Sequence, residues 1–340
     1  MGKLVTFGEI MGRLNPPGYL RIVQSDSYLL SFAGGEVNVA VAVANFGGDA
    51  SFVTKLPKND LTTHALRTLR GFGLDLSKIV YGGDRIGMYY VEKGASQRPS
   101  KVIYDRKYSA IAMAKREDFD WDAILEGATW FHFTGITPAL SDTLPAICLD
   151  ALKKCREKGI TVSCDLNYRK TLWSSEQAGA VMAQLMPYVN VCLANEEDAD
   201  KVFGVKADDT DVNDGKLNEA GYVQVAEKLM ERFGFDKVAI TLRGSISASD
   251  NNWAAMLYDG KTVYKSRTYA IRLVDRVGGG DSFGGGLVYA LMQDYAPQKA
   301  IDFAVATSCL KQATEYDFSL STVDEVNKLM AGDGSGRVQR

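Results

Sequence analysis

From residue 130 onward the 340-residue chain alternates short, nearly continuous apolar runs with helical segments. Trp130-Phe131-His132-Phe133-Thr134 precedes a helix over 143–158, closed by Gly159. Ile160-Thr161-Val162-Ser163-Cys164-Asp165 precedes a helix over 175–186. A strand at 189–194 leads to a helix over 196–203, and a helix over 221–233 leads to a strand at 237–242. Strands that are apolar on both sides must be covered on both sides. The pattern therefore predicts an α/β fold, a mostly parallel central sheet with helices on both faces. Earlier in the chain, strands are expected at 4–9 and 50–55, short strands at 19–23 and 27–32, and helices at 39–46 and 61–71. Residues 84–115 read as a hairpin, strands 87–92 and 101–106 around a turn near Gly94, with no helix of their own. Together with residues 10–33 they predict a small sheet beside the main one.

Within this frame one stretch carries chemistry. Asp275-Arg276-Val277-Gly278-Gly279-Gly280-Asp281-Ser282-Phe283-Gly284-Gly285-Gly286 holds six glycines, with Asp281 between the two runs. A strand at 269–274 precedes it and an apolar helix at 287–292 follows. Consecutive glycines let amides converge, and a helix N-terminus adds positive potential, so the turn suits an anion. A carboxylate placed there needs a task, and deprotonating a hydroxyl beside a phosphoryl group fits. The phosphate-loop pattern is excluded, because no Gly-Lys-Ser/Thr closes the turn. The dinucleotide pattern fails at Phe283, where it needs glycine. The purely structural alternative is a tight turn with close helix packing. Gly34-Gly35 makes a second glycine turn, feeding an apolar helix that ends at Gly47-Gly48, with Asn38 one turn inside.

Composition narrows the rest. Apolar residues make 46% and charged residues 24%, ordinary for a globular chain, and the net charge of −3 argues against broad nucleic-acid or membrane-surface binding. Five cysteines, Cys148, Cys155, Cys164, Cys192 and Cys309, lack Cys-x-x-Cys spacing and read as reduced core thiols of a cytoplasmic protein. The two histidines, His64 and His132, leave little room for a histidine metal site or triad, and His132 sits inside an apolar strand as a core residue. No signal peptide or membrane-spanning run is expected, and the match of Met1-Gly2 to a myristoylation pattern is better explained by the start of a strand. Asp209-x-Asp211-x-Asn213 begins like a calcium loop, but its glycine falls late and Ala220 replaces the closing glutamate, so it reads as a solvated loop. Residues 331–340 read as a flexible tail.

In α/β sheets ligands bind beyond the carboxyl ends of strands. Asp165-Leu166-Asn167-Tyr168-Arg169, Asn195-Glu196-Glu197-Asp198, Arg243-Gly244-Ser245 and the Gly278–Gly280 turn each follow a strand, so all four are expected on one rim. Each could instead simply cap a turn or a helix.

Two separated stretches resemble the signatures of the ribokinase-like, or PfkB, carbohydrate kinases. Gly34-Gly35-x-x-Asn38 is similar to the N-terminal one, and Asp275-x-x-Gly278-Gly279-Gly280-Asp281 to the C-terminal one, usually Asp-Thr-x-Gly-Ala-Gly-Asp. The resemblance spans residues 8–326. It implies a ribokinase-like kinase domain over 1–330, with a β-sheet lid formed by the excursions at 10–33 and 84–115. It further implies Asp281 as general base and the Gly278, Gly279 and Gly280 amides as anion hole. Gly34 and Asn38 would approach the sugar. Asn167, Asn195, Arg243, Gly244, Ser245, Lys311 and Thr314 would surround ATP, and Asp198 would help hold Mg2+ through water. A monovalent cation is left open. Arg276-Val277 departs from the usual threonine-containing pair and Asp198 from the usual glutamate.

Within the family, Tyr104-Asp105-Arg106-Lys107-x-Ser109-Ala110 resembles the lid segment of 2-keto-3-deoxygluconate kinases. That likeness implies a sugar acid whose carboxylate Arg106 and Arg169 would clamp, flanked by Tyr89 and Tyr104. The expected reaction is transfer of the ATP γ-phosphoryl to the 6-hydroxyl of that acid, in a protein that pairs through its lid. The competing expectations are a kinase for a neutral sugar such as fructose or ribose, a non-catalytic sugar- or nucleotide-binding module, and a dehydrogenase.

Overall fold

Burial on both faces fixes the main sheet. The computed structural model describes residues 2–206 and 219–334. Along them run β1 (Lys3–Phe7), β2 (Met11–Asn15), β3 (Leu29–Ala33), α1 (Gly35–Asn45), β4 (Asp49–Val53), β5 (Lys55–Leu56), α2 (Asp60–Gly71), β6 (Val80–Tyr81), β7 (Gly87–Glu92) and β8 (Lys101–Asp105). Then come α3 (Trp121–Ile124), β9 (Ala128–Thr134), α4 (Leu144–Lys158), β10 (Thr161–Asp165), α5 (Ser175–Leu185), β11 (Val191–Ala194), α6 (Glu196–Phe203) and α7 (Glu219–Phe233). The chain continues through β12 (Lys237–Ser245), β13 (Asp250–Tyr258), β14 (Val263–Lys265), β15 (Tyr269–Arg272), α8 (Gly279–Met292), α9 (Pro297–Gln312) and α10 (Val323–Met330).

Six strands run parallel in the order β4-β1-β9-β10-β11-β12. The sheet is completed to nine by β13, which pairs antiparallel with β12, β14 and β15. Alternate residues of the strands enter different cores, as the two-residue period of a strand requires. Leu4, Trp130, Leu193 and Ala239 join the core of α1, α2, α8, α9 and α10. Their neighbours Val5, Phe131, Cys192 and Val238 join that of α4, α5, α6 and α7. The expected two-faced α/β sheet is present.

Local departures have physical causes. β12 runs on through Arg243, Gly244 and Ser245 instead of ending at Leu242, because Arg243 pairs with Trp253 and Ser245 with Asn251 in a hairpin. The polar residues at that hairpin's tip hid β13 from a periodicity reading. Residues 19–23 form no strand; a 3-10 turn occupies Ile22–Gln24, and the strand lies earlier, at β2, before Pro16-Pro17-Gly18. Asp209, Asp211, Asn213 and the end of the tail lie outside the described residues.

A separate four-stranded sheet has the order β3-β2-β7-β8, with β2 and β7 parallel. His132 is buried beside Ser163 Oγ at 2.8 Å, and burial pushes its imidazole down to about 3, so it is a neutral core residue. All five cysteines are free and buried. Among the described residues no helix is long and apolar enough to cross a membrane.

The small sheet is fastened to the main body by a buried ionic joint. Arg13 on β2 is fully buried; its Nη2 donates to Asp275 Oδ2 at 2.5 Å and its Nη1 to Asp317 Oδ1 at 2.6 Å. Tyr89 on β7 donates its hydroxyl to the other Asp317 oxygen at 3.0 Å. Burial works against the Arg13 charge, and Asp317 and Asp275 outweigh it, leaving its pKa raised. Removing the guanidinium strands two buried carboxylates, so Arg13→Met is expected to lower stability by about 3–5 kcal/mol, read as a shift of the urea midpoint.

Candidate active site

The carboxyl ends of the parallel strands open onto a cleft of about 450 Å³. Two glycine turns form one wall. A Cβ on Gly34 would stand 1.9 Å from the Glu9 carbonyl oxygen, so only glycine lets α1 begin this close to the link between β1 and β2. Glu36 then fixes α1 against β9, accepting from the Thr134 amide at 3.1 Å, Thr134 Oγ1 at 2.7 Å and Thr137 Oγ1 at 2.6 Å. Burial pushes the Glu36 carboxyl up. Asn38 accepts from the Gly34 amide at 3.3 Å and donates through Nδ2 to Asp281 Oδ2 at 2.6 Å. That bond brings the two turns together.

Gly278 caps α8 with φ 81°, and a Cβ there would lie 2.3 Å from the Asp317 carbonyl oxygen. Its amino-acid choice is thus fixed twice, by backbone conformation and by space. The Gly279 amide donates to Arg276 O at 3.2 Å, whereas the amides of Gly280 and Asp281, in the first helical turn, have no acceptor within the helix. Gly280 borders open space. The helix therefore aims free donors and its positive end at the point where Asp281 stands.

Burial pushes the Asp281 carboxyl up to about 6; the Asn38 hydrogen bond opposes this, Asp317 adds to it, and Arg169 and Lys311 pull it back. Asp165 is raised well above the carboxylate range by burial, then by Asp198 and Asp281. Burial also raises Asp198 to about 6, against Arg169 and the Tyr168 amide that donates to it at 3.0 Å. Of the three, only Asp165 is raised by the other two; burial is the main cause for Asp198 and Asp281.

Most of the expected residues meet in this cleft. Gly34, Asn38, Asn167, Arg169, Asn195, Asp198, Arg243 and the 278–281 turn all line it. Asn167 adopts φ 39° and its amide donates to Asp165 Oδ1 at 3.1 Å. Asn195 caps α6, its Oδ1 accepting from the Asp198 amide at 2.8 Å. From the small sheet come Tyr89, Tyr104 and Arg106, with the two rings stacked 6.1 Å apart. Four residues stand elsewhere. Gly244 and Ser245 are exposed farther along β12. Lys311 is fully buried, its ammonium donating to the carbonyl oxygens of Asp275 and Val277, and Thr314 Oγ1 donates to Lys311 O at 2.8 Å.

The sequence reading overlooked Glu9. Arg106 donates to Glu9 Oε2 through Nε at 2.8 Å and Nη2 at 2.5 Å, and Ser109 Oγ donates to Oε1 at 2.6 Å. The charge of Arg106 is thus matched within the chain. The available clue was an acid directly after an apolar first strand. Arg13, Asp317 and Arg276 were likewise assigned no part in the site.

Residues 1–316 match the model of the pfkB family of carbohydrate kinases. The chain belongs to that family. This kinase is 34% identical over 334 residues to a 2-dehydro-3-deoxygalactonokinase of Haloferax volcanii, covering 98% of each chain. It is 51% identical to the 2-dehydro-3-deoxygluconokinase of Thermotoga maritima, whose crystal structure superposes with a TM-score of 0.94 over 97% of this chain and 98% of that one. A Ribokinase II of E. coli, 17% identical, shares the fold with a TM-score of 0.83 over 97% of this chain and 99% of that one. The expected ribokinase-like α/β fold is therefore shown.

Gly278→Ala forces a side chain into both the left-handed backbone region and the Asp317 carbonyl. It is expected to cost more than about 2 kcal/mol, measured by chemical denaturation, while Gly280→Ala, which meets open space, stays within about 1 kcal/mol.

Proposed function

We propose that this kinase transfers the γ-phosphoryl of ATP to the 6-hydroxyl of a 2-keto-3-deoxy sugar acid, 2-keto-3-deoxygluconate foremost. The observation that carries the reading is Asp281, a carboxylate with a raised pKa in the first turn of a glycine-started helix, oriented by Asn38. In the proposed step the substrate oxygen bonds to the γ-phosphorus and its proton passes to Asp281. The bond from that phosphorus to the β–γ bridging oxygen breaks, and ADP leaves with the electron pair. The start of α8 holds the transferring group; with the Gly279 amide turned to Arg276, the donors of Gly280 and Asp281 take the larger share of the anion hole.

Magnesium fits the donors present. Among the described residues no cluster of three metal-binding side chains occurs, yet burial and then Asp198 raise the proton affinity of Asp165, and burial raises that of Asp198. A hard divalent ion that keeps its waters and takes phosphate oxygens needs only one or two such carboxylates. Bound there, it would supply positive charge to the phosphates. Asn195 and Arg243 line the side proposed for the nucleotide. Lys311 serves as an internal cation for the turn before Gly278, so the Asp275 and Val277 carbonyls need no monovalent ion.

For the sugar, the carboxylate falls to Arg169, an exposed cleft residue, and to the Nη1 that Arg106 leaves unengaged. The names of the Haloferax and Thermotoga kinases support a ketodeoxy acid, and they differ only in the configuration of the sugar. A neutral sugar is the second reading, favoured by one observation: Glu9 already balances Arg106. ADP release across 2-keto-3-deoxygluconate, 2-keto-3-deoxygalactonate, fructose and ribose separates the readings. Turnover of the acids is expected; turnover of fructose with neither acid accepted would sink the proposal.

Asp281 must be ionised to act as base. With its carboxyl raised to about 6, kcat/KM is expected to fall roughly tenfold per unit below that pH and to level off above it. Asp281→Asn is expected to lose about 10²-fold or more in kcat. Because the folded protein holds this acid above its unfolded pKa, ionisation weakens the fold as pH rises through about 6. The variant should therefore melt no lower than the parent at pH 8, which distinguishes lost chemistry from lost structure.

A further inference from the structure

Arg276 belongs to the glycine-rich turn, and the reading above gives its side chain nothing to do. Arg276 lines the cleft. Nε and Nη2 are closed off from solvent and meet no hydrogen-bond partner. The acids around it are engaged elsewhere: Asp275 and Asp317 with Arg13, Glu9 with Arg106. Burial, and then the positive charge of Arg243, lower its pKa. Arg243 lines the same cleft from β12 and forms no ion pair among the described residues. Two nitrogens of the half-buried Arg276 guanidinium have lost water without gaining a partner, which is unfavourable. Arg243 is exposed and close enough to repel it, so an anion of multiple charge between the two relieves both.

The position selects the anion. Arg276 stands two residues before Gly278, at the open N-terminus of α8, and Arg243 faces it from the strand edge proposed for the nucleotide. With Nε and Nη2 closed off, Nη1 is the guanidinium nitrogen left open and unpartnered, and a phosphate oxygen is the acceptor that suits it. A sugar carboxylate carries a single charge, and Arg169 and Arg106 already meet it.

We propose that Arg276, together with Arg243, grips the phosphate chain of the nucleotide beside the Gly278–Gly280 turn. This rests on the kinase reading and extends it: the chain carries its own phosphate-binding arginine where the resembled signature has a threonine-containing pair. The side chain is held in place before the ligand arrives, so its ordering costs little at the moment of binding.

Calorimetric titration of the whole protein tests this without turnover, using a non-hydrolysable ATP analogue, ADP, AMP and the sugar acid as separate probes. Arg276→Met is expected to weaken the ATP analogue and ADP about 10- to 100-fold. AMP and sugar-acid binding should stay within about twofold, and Arg276→Lys should recover part of the loss, since a point charge replaces the fork. Without ligand, Arg276→Met and Arg276→Thr should melt at or above the parent temperature, because a guanidinium with no partner is removed; a structural arginine would lower it. Unchanged affinity for the ATP analogue overturns the proposal, as does a loss confined to the sugar acid or one equally large for AMP. If the kinase reading itself fails, the parent protein phosphorylates no sugar. If only this inference fails, the parent is active and Arg276→Met binds the ATP analogue as tightly.

Discussion

A single hydrogen bond, from Asn38 Nδ2 to Asp281 Oδ2 at 2.6 Å, joins residues 243 positions apart in the sequence. It connects the first turns of α1 and α8, and each of those helices starts at a glycine that no other residue could replace without a clash. Asp281 therefore stands at a helix N-terminus with one oxygen fixed. Its other oxygen faces Gly35 and the cleft, 3.8 Å from where a Gly35 Cβ would be. Close helix approach, an oriented carboxylate and free amides are consequences of one arrangement. The packing role of these glycines is shown, and it is the same close packing that places the acid.

The arrangement is stiffened from behind. Asp275 begins the glycine turn and Asp317 touches Gly278, and both are held by Arg13 on a strand of the small sheet. Lys311 ties the carbonyls of Asp275 and Val277 from the opposite side. The small sheet, whose residues line part of the cleft, is thus bonded directly to the loop that precedes Asp281. A buried ionic joint of this kind contributes less to net stability than to fixing one geometry over its alternatives.

Charge is partitioned across the cleft. Asp165 ends β10, Asp198 lies in the first turn of α6 and Asp281 in that of α8; burial raises all three, and the other two acids raise Asp165 further. Arg169, Arg243 and Arg276 border the same space without carboxylate partners of their own, whereas Arg106 is paired with Glu9. Arg169 pulls the three acids back toward ionisation, so the charges balance only in part within the chain. A polyanion and a cation entering together would complete that balance, as the proposed phosphoryl transfer requires.

Local rules made much of this legible. Apolar strands between helices gave the two-faced sheet, because burial on both sides leaves no other pattern. The glycine runs around Asp281, and Asn38 behind Gly34-Gly35, marked the cleft wall, because close approach of backbone excludes side chains. The hairpin at 87–105 was readable from alternation alone. Other features had no local trace. β13 and the length of β12 depend on cross-strand partners. The commitment of Arg106 to Glu9, the burial of Lys311 among carbonyls and the Arg13 joint each depend on residues far apart in the chain. A sequence states which groups are available, and it determined the fold class and the acid at the centre of the site. Only the tertiary structure decided which charges are already paired and which are left for a ligand, because pairing is a matter of distance, and distance is set by packing.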